Sequence, residues 1–137
     1  MRKEVIILNN KKTGMSLWRK ISEGNALLAE DVLMCVDDEE VKDMFKDGGE
    51  LHAFVLSTDT DKECRMNRLV EQMNEHSKER NLGHAYVCFF VPETAPLLMS
   101  ELQTFCEWAE SLSGDVTIMW DSVAVPSSTI QAVVLMP

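Results

Sequence analysis

Four consecutive acids, Asp37-Asp38-Glu39-Glu40, lie between apolar ends in the stretch MCVDDEEVKDMF, residues 34–45. Carboxylates set this close can gather a cation, attract a basic partner, or orient and deprotonate a water held within about 2.6–3.2 Å. They can also do something plainer. Asp37 or Asp38 can cap a helix over residues 39–47, and acids in its first turn suit the helix macrodipole, each contributing roughly 0.3–1 kcal/mol at an exposed site. The segment 37–50 holds seven acids against two bases, a net charge of −5. That is more negative charge than capping needs, so docking stays open beside capping.

Other residues able to do chemistry are scattered. His52, His76 and His84 lack metal-ligand spacing; His52 and His84 each open a strand and are expected to be ordinary strand-end histidines. Cys35, Cys64, Cys88 and Cys106 form no C-x-x-C pair, and they read as free thiols in a reducing compartment. There is no G-x-x-x-x-G-K-[ST], no G-x-G-x-x-G and no G-x-S-x-G, and six glycines in all give backbone amides no obvious place to cradle a phosphate. The expectation is no enzyme, no cofactor and no metal. Trp18 and Trp120 read as packing residues. Trp108, between Glu107 and Glu110, stands off the main apolar face of its helix and is the best candidate for an exposed contact aromatic, but a partly buried position at the edge of the core is the favoured reading.

The elements that must position these residues follow from periodicity. The chain has 137 residues, 45% of them apolar, which suits one domain with one core. It is read as residues 1–48 leading into a sandwich over 49–137. EVIILNNKK begins as a short strand-like run. Leu17, Ile21, Leu28 and Val32 recur at helical spacing, predicting a long helix over 16–34, with Ser16 as its cap and Gly24 as its weak point. A short helix over 39–47 follows, stopped by Gly48-Gly49. ELHAFVLST, 50–58, is a strand. Thr60 and Glu63 form a capping-box pattern before a helix that buries Met66, Leu69, Val70 and Met73. HAYVCFFV, 84–91, is apolar on both faces and should be a central, doubly covered strand. Leu98, Leu102, Phe105, Cys106, Ala109 and Leu112 line a second amphipathic helix. DVTIMWDSV and TIQAVVLM close the chain as an antiparallel hairpin. The order βαβαββ predicts an α/β (α+β) two-layer sandwich on a four-stranded mixed sheet, preceded by the long helix. Val87, Phe89, Leu102, Phe105 and Ile118 should be core.

Net charge is −10, and every Lys and Arg lies at or before Arg80. A chain this acidic is repelled by nucleic acid and by anionic lipid, so proteins are the expected partners. No apolar run approaches the ~20 residues of a membrane span, and the N-terminal apolar run is too short for a signal peptide. A cytoplasmic location is expected.

From Ile6 onward the chain resembles the C-terminal portion of FtsZ, the bacterial tubulin homologue. IILNNKK is similar to the last strand of the family's GTPase domain. MSLWRKISEGNALLAEDVLM resembles the central helix S-L-x-D-A-F-x-x-A-N-x-x-L, with Ser16, Leu17, Asn25 and Leu28 in place. CVDDEEVKDMF is similar to the synergy loop N-V-D-F-A-D-V. AFVLSTDTDKECR, ending at Arg65, resembles a strand-to-helix step whose family glycines are Ser57, Asp59 and neighbours here. DVTIMWDSVAVPSSTIQAVVLM looks like the closing hairpin. The resemblance does not extend to the GTPase domain or to the family's C-terminal tail. It implies a tubulin C-terminal-domain fold and a place in cell division. In the family the synergy loop enters the nucleotide site of the next subunit in a filament, where its acids position the water that attacks GTP. Carried over, Asp37 matches the first Asp, Glu40 stands at the second and is one carbon longer, Cys35 replaces the Asn, and Asp38 is at a variable position. The implied partner is an FtsZ/tubulin-type GTPase or the chain itself, engaged through Asp37, Asp38 and Glu40. A regulatory domain binding a small molecule is the alternative function.

Overall fold

The computed structural model describes residues 3–24, 26–46, 50–58, 64–78 and 83–137. Its elements are β1 (Lys3–Ile7), α1 (Lys11–Ser22), α2 (Ala29–Cys35), α3 (Glu39–Met44), β2 (His52–Ser57), α4 (Arg65–Ser77), β3 (His84–Pro92), α5 (Met99–Ser111), β4 (Val116–Val125) and β5 (Gln131–Met136). One five-stranded sheet runs in the order β1-β4-β3-β5-β2. β1, β4 and β3 are mutually parallel, while β5 is antiparallel to both of its neighbours.

β3 sits in the middle, as its two apolar faces demand. Ala85, Val87, Phe89 and Val91 point into a core shared with Met66, Leu69 and Met73 of α4 and Phe105, Trp108 and Ala109 of α5. Tyr86, Cys88 and Phe90 point the other way, into a second core with Leu17 of α1, Val32 of α2 and Val41 of α3. The molecule therefore has three layers, helix–sheet–helix, where two were expected. A strand without a polar face needs helices on both sides. Of the expected core residues, Val87, Phe89, Phe105 and Ile118 are fully buried. Leu102 is half-buried against the same cluster.

Three further expectations need correction. The sheet has five strands, because the strand-like run at the N-terminus pairs in parallel with β4 from Lys3↔Val116 to Ile7↔Trp120. Its Val5 and Ile6 feed opposite cores, so β1 completes both layers. The closing strands are not a hairpin. β3 lies between β4 and β5, and the connection over residues 126–130 crosses the end of β3, where the chain has already turned away after Pro92. Inserting β3 there gives the most apolar strand a partner on each edge. The long helix over 16–34 is two helices. Gly24 adopts φ +79°, a left-handed conformation that ends α1. The new helix starts at Leu28, whose N–H donates to the Asp31 carboxylate (3.3 Å). Leu28 is 62% exposed, so its helical spacing was a coincidence of phase across the break. Ser16 lies inside α1; the cap is Asn10, whose Oδ1 accepts from Thr13 N–H (3.1 Å). Gly14 lets α1 approach the sheet closely: a Cβ there would lie 3.0 Å from Val123. Gly48, Gly49, Thr60 and Glu63 lie outside the described residues.

Candidate functional site

The acidic quartet is the turn from α2 into α3, on the face of the sheet covered by the N-terminal helices. Val36 and Val41, on either side of it, are buried and anchor it to the core. Asp38 is the cap of α3: its Oδ1 accepts from the N–H of Glu40 (2.8 Å) and of Val41 (3.4 Å). That part of the plain reading is met. Asp37 and Glu40 do not cap. Asp37 is exposed and its carboxylate stands 3.8 Å from Lys12 Nζ, a solvated ion pair of little energetic weight. Glu40 projects from the first turn of α3 into solvent, beside an open cleft of about 510 Å³ that Glu4, Ile6, Asp43, Met44, His84 and Met119 also line.

The loop is tied to the interior by a chain of hydrogen bonds. Asp37 N–H donates to Thr13 Oγ1 (3.1 Å). Thr13, 1% exposed, has its own N–H on Asn10 Oδ1 (3.1 Å). Asn10 N–H donates to Asp121 Oδ1 (2.6 Å), and Tyr86 Oη donates to Asp121 Oδ2 (3.0 Å). Asp121 is 1% exposed, and no cation among the described residues pairs with it. Burial raises its pKa, and the nearby charge of Asp38 pushes the same way. The Asn10 and Tyr86 hydrogen bonds offset this only in part. Beside it, burial holds the Tyr86 and Cys88 protons on; for Tyr86 the neighbouring Cys88 and then Asp121 add to burial, and for Cys88 the Asp121 charge does. Asn9, with φ 57°, makes the turn that aims the Asn10 amide inward.

Trp108 does not reach solvent. It is 4% exposed and stacks on Phe105 at 6.0 Å, which agrees with the favoured packing reading and corrects the candidate contact-aromatic role. Helical spacing puts it near the edge of the apolar face, and α5 buries more of its circumference than that face because both the sheet and α4 pack on it. His52 and His84 are kept apart by β5, which lies between their strands. Among the described residues no group of three or more His, Cys, Asp or Glu could hold a metal. The cysteines are free, with Cys88 buried, Cys35 and Cys106 half-buried and Cys64 exposed. No helix among the described residues is long and apolar enough to cross a membrane.

Periodicity missed the brace behind the loop, and it missed the buried pair Arg65–Glu101 that joins α4 to α5 on the opposite face of the sheet. Arg65 Nε lies 2.5 Å from Glu101 Oε2 and Nη2 lies 2.8 Å from Oε1. Nη2 also donates to Pro96 O (3.0 Å), and Leu98 N–H donates to Glu101 Oε1 (2.9 Å). For Asp121 a signal existed: an acid on the same side of the strand as Met119, Val123 and Val125.

No family model matches the chain, and no curated protein does. Solved structures do match. A mutant FtsZ from M. jannaschii superposes with TM-score 0.59 at 15% identity, covering 97% of this chain and 46% of that one. CetZ1 from Haloferax volcanii, solved as a GDP-bound monomer, gives TM-score 0.54 at 17% identity over 97% of this chain and 45% of that one. CetZ2 from the same organism, solved as a GTPγS-bound protofilament, gives 0.53 at 15% identity over 96% and 45%. The chain thus has a tubulin-like fold, shared with part of FtsZ and CetZ, and spans less than half the length of those structures. The resemblance read from the sequence holds at the level of fold.

Proposed function

We propose that this chain is a non-catalytic interaction module that joins a tubulin-type filament, or a second copy of itself, through the loop Asp37–Glu40. One observation carries the reading: two carboxylates of the loop, Asp37 and Glu40, are left exposed after Asp38 alone has satisfied the cap, while the backbone under them is pinned to a buried threonine. An exposed charge on a held backbone is what a docking element needs, because little conformational entropy is lost on binding. The fold supports it, since a chain of this fold has been solved as a protofilament. Within this reading the chain does not itself bind or hydrolyse GTP, and it works in the cytoplasm. The test is co-sedimentation with GTP-assembled FtsZ, and light scattering of the chain alone, at two salt concentrations. Asp37→Asn with Glu40→Gln should weaken association, and added salt should weaken it for the wild type, since exposed charges are screened beyond about 10 Å at 0.1 M. No association in either assay, or equal association for both proteins at both salts, would sink the reading.

The open cleft favours a second reading, a regulatory site for a small cationic molecule. Its floor is Ile6, Met44 and Met119, and its rim carries Glu4, Glu40 and Asp43.

A further inference from the structure

The acidic loop is held from a distance. Asp121 lies on β4, far from residues 37–40 in sequence, and the two are joined by hydrogen bonds through the turn before α1 and the first turn of that helix. We infer that Asp121 is a positioning residue for the acidic loop, acting through Asn10 and Thr13. The inference rests on the reading of that loop as the docking element.

Every link in the relay is specific. Asp121 has two carboxylate oxygens and each takes one donor: the Asn10 amide at 2.6 Å and the Tyr86 hydroxyl at 3.0 Å. The Tyr86 bond fixes the carboxylate against the central strand, so its free end presents a fixed acceptor to the turn. The turn needs one. Asn9 occupies the left-handed region, which asparagine tolerates better than most non-glycine residues, and the Asn10 amide that follows donates to Asp121 on the sheet. With that amide satisfied, the Asn10 side chain is placed to cap α1 on Thr13 N–H. The first turn of α1 then fixes Thr13, whose buried hydroxyl oxygen accepts from Asp37 N–H. The relay ends at the residue whose carboxylate faces solvent beside Lys12.

Three of these residues are almost wholly removed from water: Tyr86 at 0%, Thr13 at 1% and Asp121 at 1% exposure. A buried donor or acceptor that loses its partner is left desolvated and unpaired, so the links do not open independently. A carboxylate is an expensive residue to bury without a cation. A structural pin could be made by a neutral acceptor. Asp121 accepts two hydrogen bonds at once, and an Asn in its place keeps one acceptor and adds a donor facing a donor.

The experiment reads the Asp37 amide directly, by hydrogen exchange followed residue by residue in the intact chain with no partner present. Asp121→Asn should speed exchange at Asp37 about fivefold or more, the loss of one hydrogen bond's protection, while amides of α5 on the other face change much less. Thr13→Val should do the same, and Thr13→Ser, which keeps the hydroxyl, should restore wild-type exchange. In the double variant Asp121→Asn with Thr13→Val the effects should fail to add, because both cut one relay. If Asp121→Asn speeds Asp37 and the α5 amides alike, or the two substitutions add in full, Asp121 does not position the loop. Should Asp121→Asn fail to fold, Tyr86→Phe removes one of the same two bonds and must also speed Asp37 selectively; unchanged exchange there overturns the inference. Association with assembled FtsZ is measured on the same proteins. Absent binding by the wild type defeats the proposed function and leaves the exchange result to decide the relay on its own.

Discussion

Glu101 and Asp121 are carboxylates folded away from water on opposite faces of one sheet. Glu101, on the α4–α5 face, meets a guanidinium. Burial by itself would raise its pKa, but the Arg65 hydrogen bonds, the Leu98 amide and the Arg65 charge outweigh burial and hold it below the usual range. Asp121, on the α1–α3 face, meets a backbone amide and a phenol, both neutral. Burial wins there, and its pKa is raised. The same functional group thus serves two purposes. Glu101 clasps the start of α4 to the start of α5 with full charge compensation, a fixed joint. Asp121 holds a turn through two neutral donors, on the face that carries the exposed acids.

The sharpest way to break the comparison is to take away the cation. Arg65→Met leaves Glu101 charged in a site where both side chains are under 10% exposed, 5% and 8%. Loss of one partner of such a pair is expected to destabilise by about 3–5 kcal/mol, a large part of the stability of a small domain. Adding Glu101→Leu should recover much of it, since an apolar replacement of both partners is often neutral. Urea midpoints measure both. A loss under about 1 kcal/mol for the single variant would mean Glu101 reaches water and the pair is not a joint.

The second test uses pH and has opposite signs on the two faces. The folded state keeps the Asp121 proton to higher pH than the unfolded chain does. Between the unfolded carboxylate value of about 3.9 and the raised folded value, stability from this group falls as pH rises and returns on acidification. For Glu101 the contribution is present above the unfolded value of about 4.3 and lost as pH falls toward its lowered folded value. The stability advantage of wild type over Asp121→Asn should therefore grow as pH drops from 7 toward 4. That of wild type over Glu101→Gln should shrink below about 4.3. Parallel curves for wild type and Asp121→Asn would show that Asp121 ionises as an ordinary surface acid.

How far these features could be read in advance also differs between the faces. Periodicity located α4, α5, β2 and β3, because each is one uninterrupted element whose apolar spacing reports a single environment. It failed where the environment changes within one pattern. Gly24 splits what Leu17, Ile21, Leu28 and Val32 present as one stripe, and a short turn after β4 suggested a hairpin although β3 takes the place beside it. The two-layer expectation contradicted its own best evidence, the apolar run of β3. Of the candidate site, Asp38 was legible because a cap is a local device. The relay was not: Asn10 and Asp121 are 111 positions apart and meet only because β1 lies alongside β4.

Local devices should also have local, modest effects, and the acidic quartet divides accordingly. Asp38→Ala removes the side-chain acceptor for Glu40 and Val41 N–H at the start of α3. It should destabilise by about 1 kcal/mol, the usual loss for a cap, measured by urea unfolding, and Asp38→Asn should retain most of the cap. A loss near zero would mean α3 does not need its cap.

The smallest expected effect is the most informative for function. Asp37→Asn with Glu40→Gln touches no buried contact: the Lys12–Asp37 pair has side chains 84% and 46% exposed, and the Thr13 bond uses the Asp37 backbone amide, which Asn keeps. Exposed pairs of this kind contribute about 0–1 kcal/mol and are weakened further by salt. Removing two negative charges from a chain of net charge −10 relieves some self-repulsion. The net change in stability should therefore lie within about 0.5 kcal/mol of zero. Against the loss at Asp38, that near-zero value separates the acid whose side chain caps the helix from the two whose carboxylates make only weak, solvated interactions with the fold. Destabilisation by more than about 1 kcal/mol would place Asp37 or Glu40 among the structural acids, and would remove the reason for assigning them a partner.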